Sequence, residues 1–241
     1  MNVIFMGTPD FSVPVLKGLI ASEEHTVTAV VTQPDKARGR SGKLVFTPVK
    51  EVAVENDIPV YTPARVKDAE FVEQLRKIPC DVIWFDINYM DEFRVFTINN
   101  RDFPDPKRMN DYLHGNGFRS VYMIDPGVKV DENYYVYKTG KEQDVFVRDA
   151  YRNEFHGKVW PGDCAFPDFT RPETRTWWAG LYKDFLANGI DGIWNDMNEP
   201  SVFDGPGGTM PVSNIHLGGG NLPTGTHLMY HNAYGRLMVE A

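Results

Sequence analysis

Short apolar runs of strand-like composition alternate with helical segments along this chain, and this alternation is the feature that most constrains its fold. The strand-like runs are residues 2–6, 25–31, 80–87, 120–124 and 190–194. Helical segments begin near residues 11, 48, 68 and 170, and a last one is predicted from about 231. Because strands separated by helices pair in parallel through right-handed crossovers, the sequence predicts an α/β fold. We expect a mostly parallel sheet with flanking helices.

Two stretches interrupt the alternation. Residues 33–48 contain several Gly, Pro and basic residues, and we predict a loop there. Residues 131–162 contain short alternating runs at 134–137, 145–147 and 158–160. These runs predict inserted hairpins at about 131–162.

Composition excludes several classes of protein. With 42% hydrophobic and 24% charged residues the chain is typical of a globular protein, and its net charge of −8 disfavours general nucleic-acid binding. No apolar run has the roughly 18 residues that a membrane span requires, and Met1 leads directly into a strand-like segment. We therefore expect a cytoplasmic protein with no membrane partner. The two cysteines form no disulfide framework and no zinc spacing, so we expect neither metal nor cofactor.

The charge is unevenly distributed between two parts of the chain. Residues 1–79 are neutral, with ten basic and ten acidic side chains, so residues 80–241 carry the whole net charge. All five tryptophans also follow residue 79. The shift indicates two sources for one chain.

The first part resembles the start of the methionyl-tRNA formyltransferase family. The similar stretches are residues 3–11 (VIFMGTPDF), 30–35 (VVTQPD) and 47–50 (TPVK). The resemblance implies a Rossmann-like sheet and a tRNA contact for a basic loop, whose members are Lys36, Arg38, Arg40 and Lys43. Cations on a loop neutralise phosphates without reading sequence, but a solvated loop is the favoured alternative, and we do not expect tRNA as a partner. The family's catalytic residues lie outside the similar stretches, so formyl transfer is not predicted.

The second part resembles glycoside hydrolase family 31, the α-glucosidase family. The motifs that carry the resemblance are residues 81–91 (DVIWFDINYMD), 123–126 (MIDP), 158–162 (KVWPG), 166–169 (FPDF) and 194–200 (WNDMNEP). The family folds as a (β/α)₈ barrel, and these motifs correspond to its strands two to four. The resemblance therefore implies a partial barrel.

Roles for individual residues follow from this second resemblance. Asp196 matches the catalytic nucleophile of a retaining mechanism, and a nucleophile belongs at the carboxyl end of a barrel strand. Asp86 matches an aspartate that binds sugar hydroxyls. The resemblance also implies substrate contacts for Met123, Trp160, Trp194 and Met197. The competing interpretation of Asp196 is a helix cap. The competing interpretation of Trp160 and Trp194 is core packing.

The sequence also departs from the family pattern. Asn88 replaces a usual Asp, and the family's acid/base Asp lies on a later strand than the ones matched here. Four acidic residues could substitute for that acid/base Asp, and only their proximity in sequence to the matched motifs suggests them: Asp91, Asp125, Asp163 and Glu199. A missing acid costs on the order of 10²–10⁴-fold in rate.

We interpret the chain as a chimera of residues 1–78, formyltransferase-like, and residues 79–241, family 31-like. Its fold is then a hybrid of a Rossmann-like half and a partial (β/α)₈ barrel. We expect an α-glucosidase-type fragment that hydrolyses or binds α-glucosides weakly if at all. An inactive structural chimera and a tRNA-binding remnant are the alternatives. An uncovered sheet edge predicts self-association.

Overall fold

The chain consists of two units, Met1–Ile83 and Trp84–Ala241. The computed structural model describes residues 2–8, 12–38, 43–64, 69–75, 77 and 81–241. Cys80 lies outside the described residues, whereas Cys164 is a buried free thiol.

The first unit contains a parallel sheet of three strands. Its elements are β1 (Asn2–Met6), α1 (Val13–Ile20), β2 (Thr26–Val31), β3 (Lys36–Arg38), β4 (Lys43–Val45), α2 (Pro48–Glu55), β5 (Val60–Tyr61) and α3 (Ala69–Leu75). The sheet has the order β1-β2-β5, with both pairs parallel. Leu16, Val30 and Val49 form its core, and the Thr47 side chain caps α2 by accepting the Lys50 N–H at 3.2 Å.

The segment predicted as a loop at 33–48 contains the antiparallel pair β3–β4. Its Gly and Pro residues were interpreted as breakers of regular structure. The strands are only three residues long, which is too short for a periodic pattern to mark them.

Among the described residues, the second unit combines a three-stranded sheet that contains a parallel pair, two antiparallel sheets and four α-helices. Its elements are β6 (Val82–Phe85), which crosses the boundary between the units, α4 (Pro106–Gly115), β7 (Arg119–Ile124), β8 (Val128–Lys129), α5 (Tyr135–Glu142), β9 (His156–Val159), β10 (Gly162–Ala165), α6 (Pro172–Leu186), β11 (Gly192–Asn195), β12 (Ile215–His216), β13 (Gly225–Thr226) and α7 (His227–Val239). None of the described helices combines the length and the apolar composition needed to cross a membrane.

Aromatic side chains form the core of the second unit. Trp178 on α6 is fully buried, with ring centroids 4.9 Å from Phe96 and 5.3 Å from Phe169. Tyr122 on β7 stacks on Phe85 at 4.5 Å. Phe185 on α6 meets Tyr122 edge-on at 6.0 Å, and this contact holds α6 against β7, one of the strands that carry the candidate site.

The structure corrects the prediction of one sheet. The described strands form five small sheets, among them β1-β2-β5, β11-β7-β6 and β8-β10-β9. The α/β class and the parallel pairing of β7 with β11 agree with the prediction. The partial barrel stays a prediction.

The run at 134–137 was predicted as a strand, and this prediction is wrong, because α5 begins at Tyr135. Val136 and Gly140, four residues apart, lie on the buried face of that helix. A Cβ on Gly140 would lie 2.5 Å from Phe146 Cζ, so the helix packs closely on the core. Tertiary packing therefore overrides the strand propensity of Tyr and Val.

Candidate active site

Three aspartates follow three strands of one sheet. Asp86 follows β6, Asp125 follows β7 and Asp196 follows β11, and the sheet order is β11-β7-β6. The strands β7 and β11 pair in parallel up to Ile124 opposite Asn195, and the Asp196 N–H donates to the Ile124 carbonyl at 3.1 Å. Carboxylates thus meet at one sheet edge, where α/β proteins bind ligands.

Asp196 is half-buried, and its environment disfavours the ionised form. Burial raises the pKa of Asp196, and the negative charges of Asp86 and Glu199 raise this pKa further. The hydrogen bond that the Met197 N–H donates to the Asp196 carboxylate lowers it. Because these charges act on Asp196, the structure brings the three carboxylates into electrostatic contact.

Asp86 is exposed and partly held by its own backbone. Its Oδ1 accepts the Ile87 N–H at 2.7 Å, at the start of a 3-10 turn over Ile87–Tyr89. Asn88 in that turn is exposed. The carboxylate of Asp86 retains lone pairs for a ligand hydroxyl.

Aromatic and thioether groups border Asp196. Trp160, 52% exposed, donates its Nε1–H to Met197 Sδ at 2.9 Å, and its ring lies 5.1 Å from that of Phe203. Met197 has a φ of 55°, a conformation that is uncommon for a residue other than glycine. Trp194 is half-buried and meets Trp84 edge-on at 6.1 Å. The structure therefore brings Trp160, Trp194 and Met197 close to Asp196.

Met123 is not brought to this surface. Its side chain is 1% exposed in the core, and its carbonyl accepts the Tyr89 hydroxyl at 2.6 Å. Trp194 is the register partner of Met123 on β11, so the two side chains share one face of the sheet, and Met123 is the buried one of the pair. A substrate contact for Met123 stays a prediction.

The four substitute acids occupy different environments. Asp91 pairs with Arg94, and Asp163 is exposed on β10. Asp125 is buried, whereas Glu199 is exposed, accepts the Ser201 hydroxyl at 2.8 Å and acts on Asp196. Of these four, Glu199 alone combines exposure with an effect on the pKa of Asp196.

The basic residues assigned to tRNA lie on the hairpin of the first unit. Lys36 and Arg38 belong to β3 and Lys43 to β4. Arg40 lies outside the described residues. The tRNA contact stays a prediction.

Sequence reasoning missed Trp84 and Phe203. Trp84 lies two residues before Asp86 on β6, and side chains two apart share one face of a strand. That period was available in the sequence. Phe203 follows a turn, where no periodic pattern links it to Trp160.

Two family models match the chain. The model for the glycosyl hydrolases family 31 TIM-barrel domain matches residues 62–241, and a formyl transferase model matches residues 1–90. Both predicted resemblances are thereby confirmed. The matches overlap over residues 62–90.

Individual relatives of this chain carry glucosidase names. "Alpha-glucosidase 2" of Bacillus thermoamyloliquefaciens is 45% identical over 171 residues, which are 71% of this chain and 21% of that protein. A crystal structure of an ER glucosidase II heterodimeric complex aligns at a TM-score of 0.65 and 39% identity, over 73% of this chain and 19% of that one. A family 31 α-glucosidase structure from Bacteroides thetaiotaomicron aligns at 0.58 and 52% identity, over 73% and 27%. The chain thus spans about a fifth of the length of the curated relatives it matches.

Proposed function

Because the chain belongs to glycoside hydrolase family 31, we propose that the edge of the β11-β7-β6 sheet binds the glucosyl ring of an α-glucoside, with Asp196 as nucleophile. The observation that carries this proposal is the position of Asp196 directly after β11, where it is half-buried, lies within reach of the charge of Asp86 and precedes Met197, which accepts the Trp160 N–H. The relatives that match this region are named as α-glucosidases.

Binding would use the polar and apolar sides of the sugar separately. The exposed Asp86 carboxylate accepts hydrogen bonds from ring hydroxyls. Trp160 and Trp194 present aromatic surface to the C–H face of the ring. The Trp160 indole is oriented by its bond to Met197 Sδ.

The reaction would proceed with retention of configuration. A carboxylate oxygen of Asp196 forms a bond to the anomeric carbon as the glycosidic C–O bond breaks, and the leaving oxygen departs with the electron pair and takes a proton from solvent water. Water then attacks the anomeric carbon of the glycosyl ester, loses a proton and releases Asp196. This second step restores the ionised carboxylate.

The proton for the leaving group is the weak part of this site. None of the matched motifs corresponds to the family's acid/base Asp, and Asp125 is 1% exposed. We therefore propose slow turnover that depends on the leaving group, with a deficit on the order of 10²–10⁴-fold. An aryl glucoside with an acidic phenol needs little protonation and should react best.

The test compares 4-nitrophenyl and methyl α-glucosides with the wild-type chain and Asp196→Ala. We expect hydrolysis of the nitrophenyl substrate that disappears in Asp196→Ala and persists in the control Asp111→Ala, whose exposed carboxylate pairs with Lys107 on α4. Equal rates in wild type and Asp196→Ala would refute the role of Asp196. Glucose binding, measured by tryptophan fluorescence, separates binding from turnover, and its absence as well would favour an inactive structural chimera.

A further inference from the structure

Asp125 is a buried acid that the proposed reaction does not use. It follows β7, the middle strand of the β11-β7-β6 sheet, and is 1% exposed. The pairing of Ile124 with Asn195 places Asp125 and Asp196 next to each other where the two strands end. The proposed nucleophile therefore has a second acidic residue beside it on the neighbouring strand.

The hydrogen bonds of Asp125 are incomplete. Its Oδ1 accepts the Gly127 N–H at 2.9 Å, whereas its Oδ2 is buried without a hydrogen-bond partner among the described residues. The backbone at Gly127 packs closely on its surroundings, because a Cβ there would lie 2.5 Å from Val159 Cγ2. A buried carboxylate with an unpaired oxygen is costly, so this geometry favours the neutral acid.

Among the described residues, the titratable groups that interact with Asp125 carry no positive charge that would stabilise its ionised form. Those that interact with it electrostatically are Asp196 after β11, Cys164 on β10, and three phenols. The phenols are Tyr89, Tyr134 and Tyr234. Burial raises the pKa of each phenol and of the Cys164 thiol, so all four stay neutral when Asp125 titrates. Lys129 on β8 acts on Cys164.

We propose that Asp125 is a positioning residue for Asp196, a buried acid with an unpaired oxygen that stays neutral and leaves Asp196 as the charged member of the pair. The proposal rests on the proposed function of Asp196 as nucleophile. Burial raises the pKa of Asp125 to about 7, the Gly127 N–H lowers it, and the charge of Asp196 raises it. Two neighbouring carboxyls whose environments separate their pKa values divide the roles of ion and acid.

The order of ionisation makes the proposal testable. Asp196 loses its proton while Asp125 is neutral, so Asp125 does not affect that step. Asp125 then ionises beside a charge that is already present. The carboxyl carbon of Asp196 should therefore respond twice, once to its own ionisation and once to that of Asp125.

The experiment is a ¹³C titration of the full chain labelled at aspartate carboxyl carbons, with Asp196→Asn assigning the Asp196 resonance. We expect two inflections for Asp196, the upper one near pH 7. Asp125→Asn removes the upper inflection and leaves the lower one in place. Glu199→Gln retains the upper inflection and shifts the lower one to more acidic pH.

A single inflection for Asp196 in the wild-type chain, or an upper inflection that survives Asp125→Asn, would overturn the proposal. If Asp125→Asn does not fold by circular dichroism, the wild-type spectrum decides: an Asp125 resonance, assigned with Asp125→Glu, that titrates near pH 7 supports the proposal, and titration of every aspartate below about pH 5 overturns it. None of these measurements requires turnover. Failure of Asp196→Ala to change the hydrolysis rate would instead refute the proposed function.

Discussion

Replacing Asp125 with Asn should change how the stability of the second unit depends on pH. The pKa of Asp125 is raised from its ordinary value of 3.8 to about 7, mainly by burial. Because the folded pKa lies above the unfolded one, the folded state binds more protons between these two values. Wild-type stability therefore falls as pH rises from about 4 to about 7, and this contribution stays lost at higher pH.

The structure sets the magnitude of this effect. The interval of about three pKa units corresponds to about 4 kcal/mol at 1.36 kcal/mol per unit, which is an upper bound. Asn retains the acceptor for the Gly127 N–H and cannot ionise. The stability of Asp125→Asn relative to wild type should therefore increase by about 2–4 kcal/mol between pH 4 and pH 8.

The assay is urea unfolding followed by tryptophan fluorescence at pH 4, 6 and 8, since every tryptophan follows residue 79. The matched control is Asp191→Asn. Burial would raise the pKa of Asp191, but hydrogen bonds from the Ser120 N–H, His114 and Arg119 lower it overall. Because the pH dependence of Asp191 lies below about pH 4, the control should lose nearly the same stability at pH 4, 6 and 8. A stability difference for Asp125→Asn that is constant from pH 4 to pH 8 would refute the reasoning.

Three other perturbations probe the helix that supports the site and the surface. Gly235→Ala on α7 should lower the free energy of unfolding by about 1–3 kcal/mol in urea unfolding, because the new Cβ would lie 2.7 Å from the Asn198 carbonyl oxygen. The control Gly180→Ala on α6, where the Cβ would meet open space, should raise the free energy of unfolding by about 0.5–1 kcal/mol. Burial and the neighbouring His216 and His231 lower the pKa of His227 to about 4, so wild-type stability should fall as pH drops from 6.5 to 4. His227→Gln should remove up to about 3 kcal/mol of that loss. Parallel curves of stability against pH for the two proteins would contradict this. Helix α7 exposes three large apolar side chains, Leu228, Met229 and Val239. Sedimentation should therefore show self-association that increases with concentration, and the double variant Leu228→Glu with Met229→Glu should reduce it. A wild-type monomer at high concentration would argue against this.

Much of the secondary structure could be predicted from local patterns. The segments around β2, α2, β7, α6 and β11 are long or strongly periodic, and Thr47 and Pro48 mark the start of α2 as a cap and a first-turn proline do. The predictions failed where the pattern was short or shared by two structures. The run at 134–137 has strand propensity, and only the packing of Val136, Tyr137 and Gly140 makes it a helix.

The sequence by itself determined which residues are candidates for the chemistry, because motifs such as 194–200 combine an apolar strand with an acidic turn in an order that local propensity and family resemblance both recognise. It placed Asp86 and Asp196 at strand ends, and the structure has them there. Only the tertiary structure decided the environment of each carboxyl. Asp125, Asp163 and Glu199 are the same kind of acid in sequence, yet one is buried with an unpaired oxygen and two are exposed. Burial and neighbouring charges depend on residues that are distant along the chain, and these set the pKa that separates a nucleophile from a neutral acid.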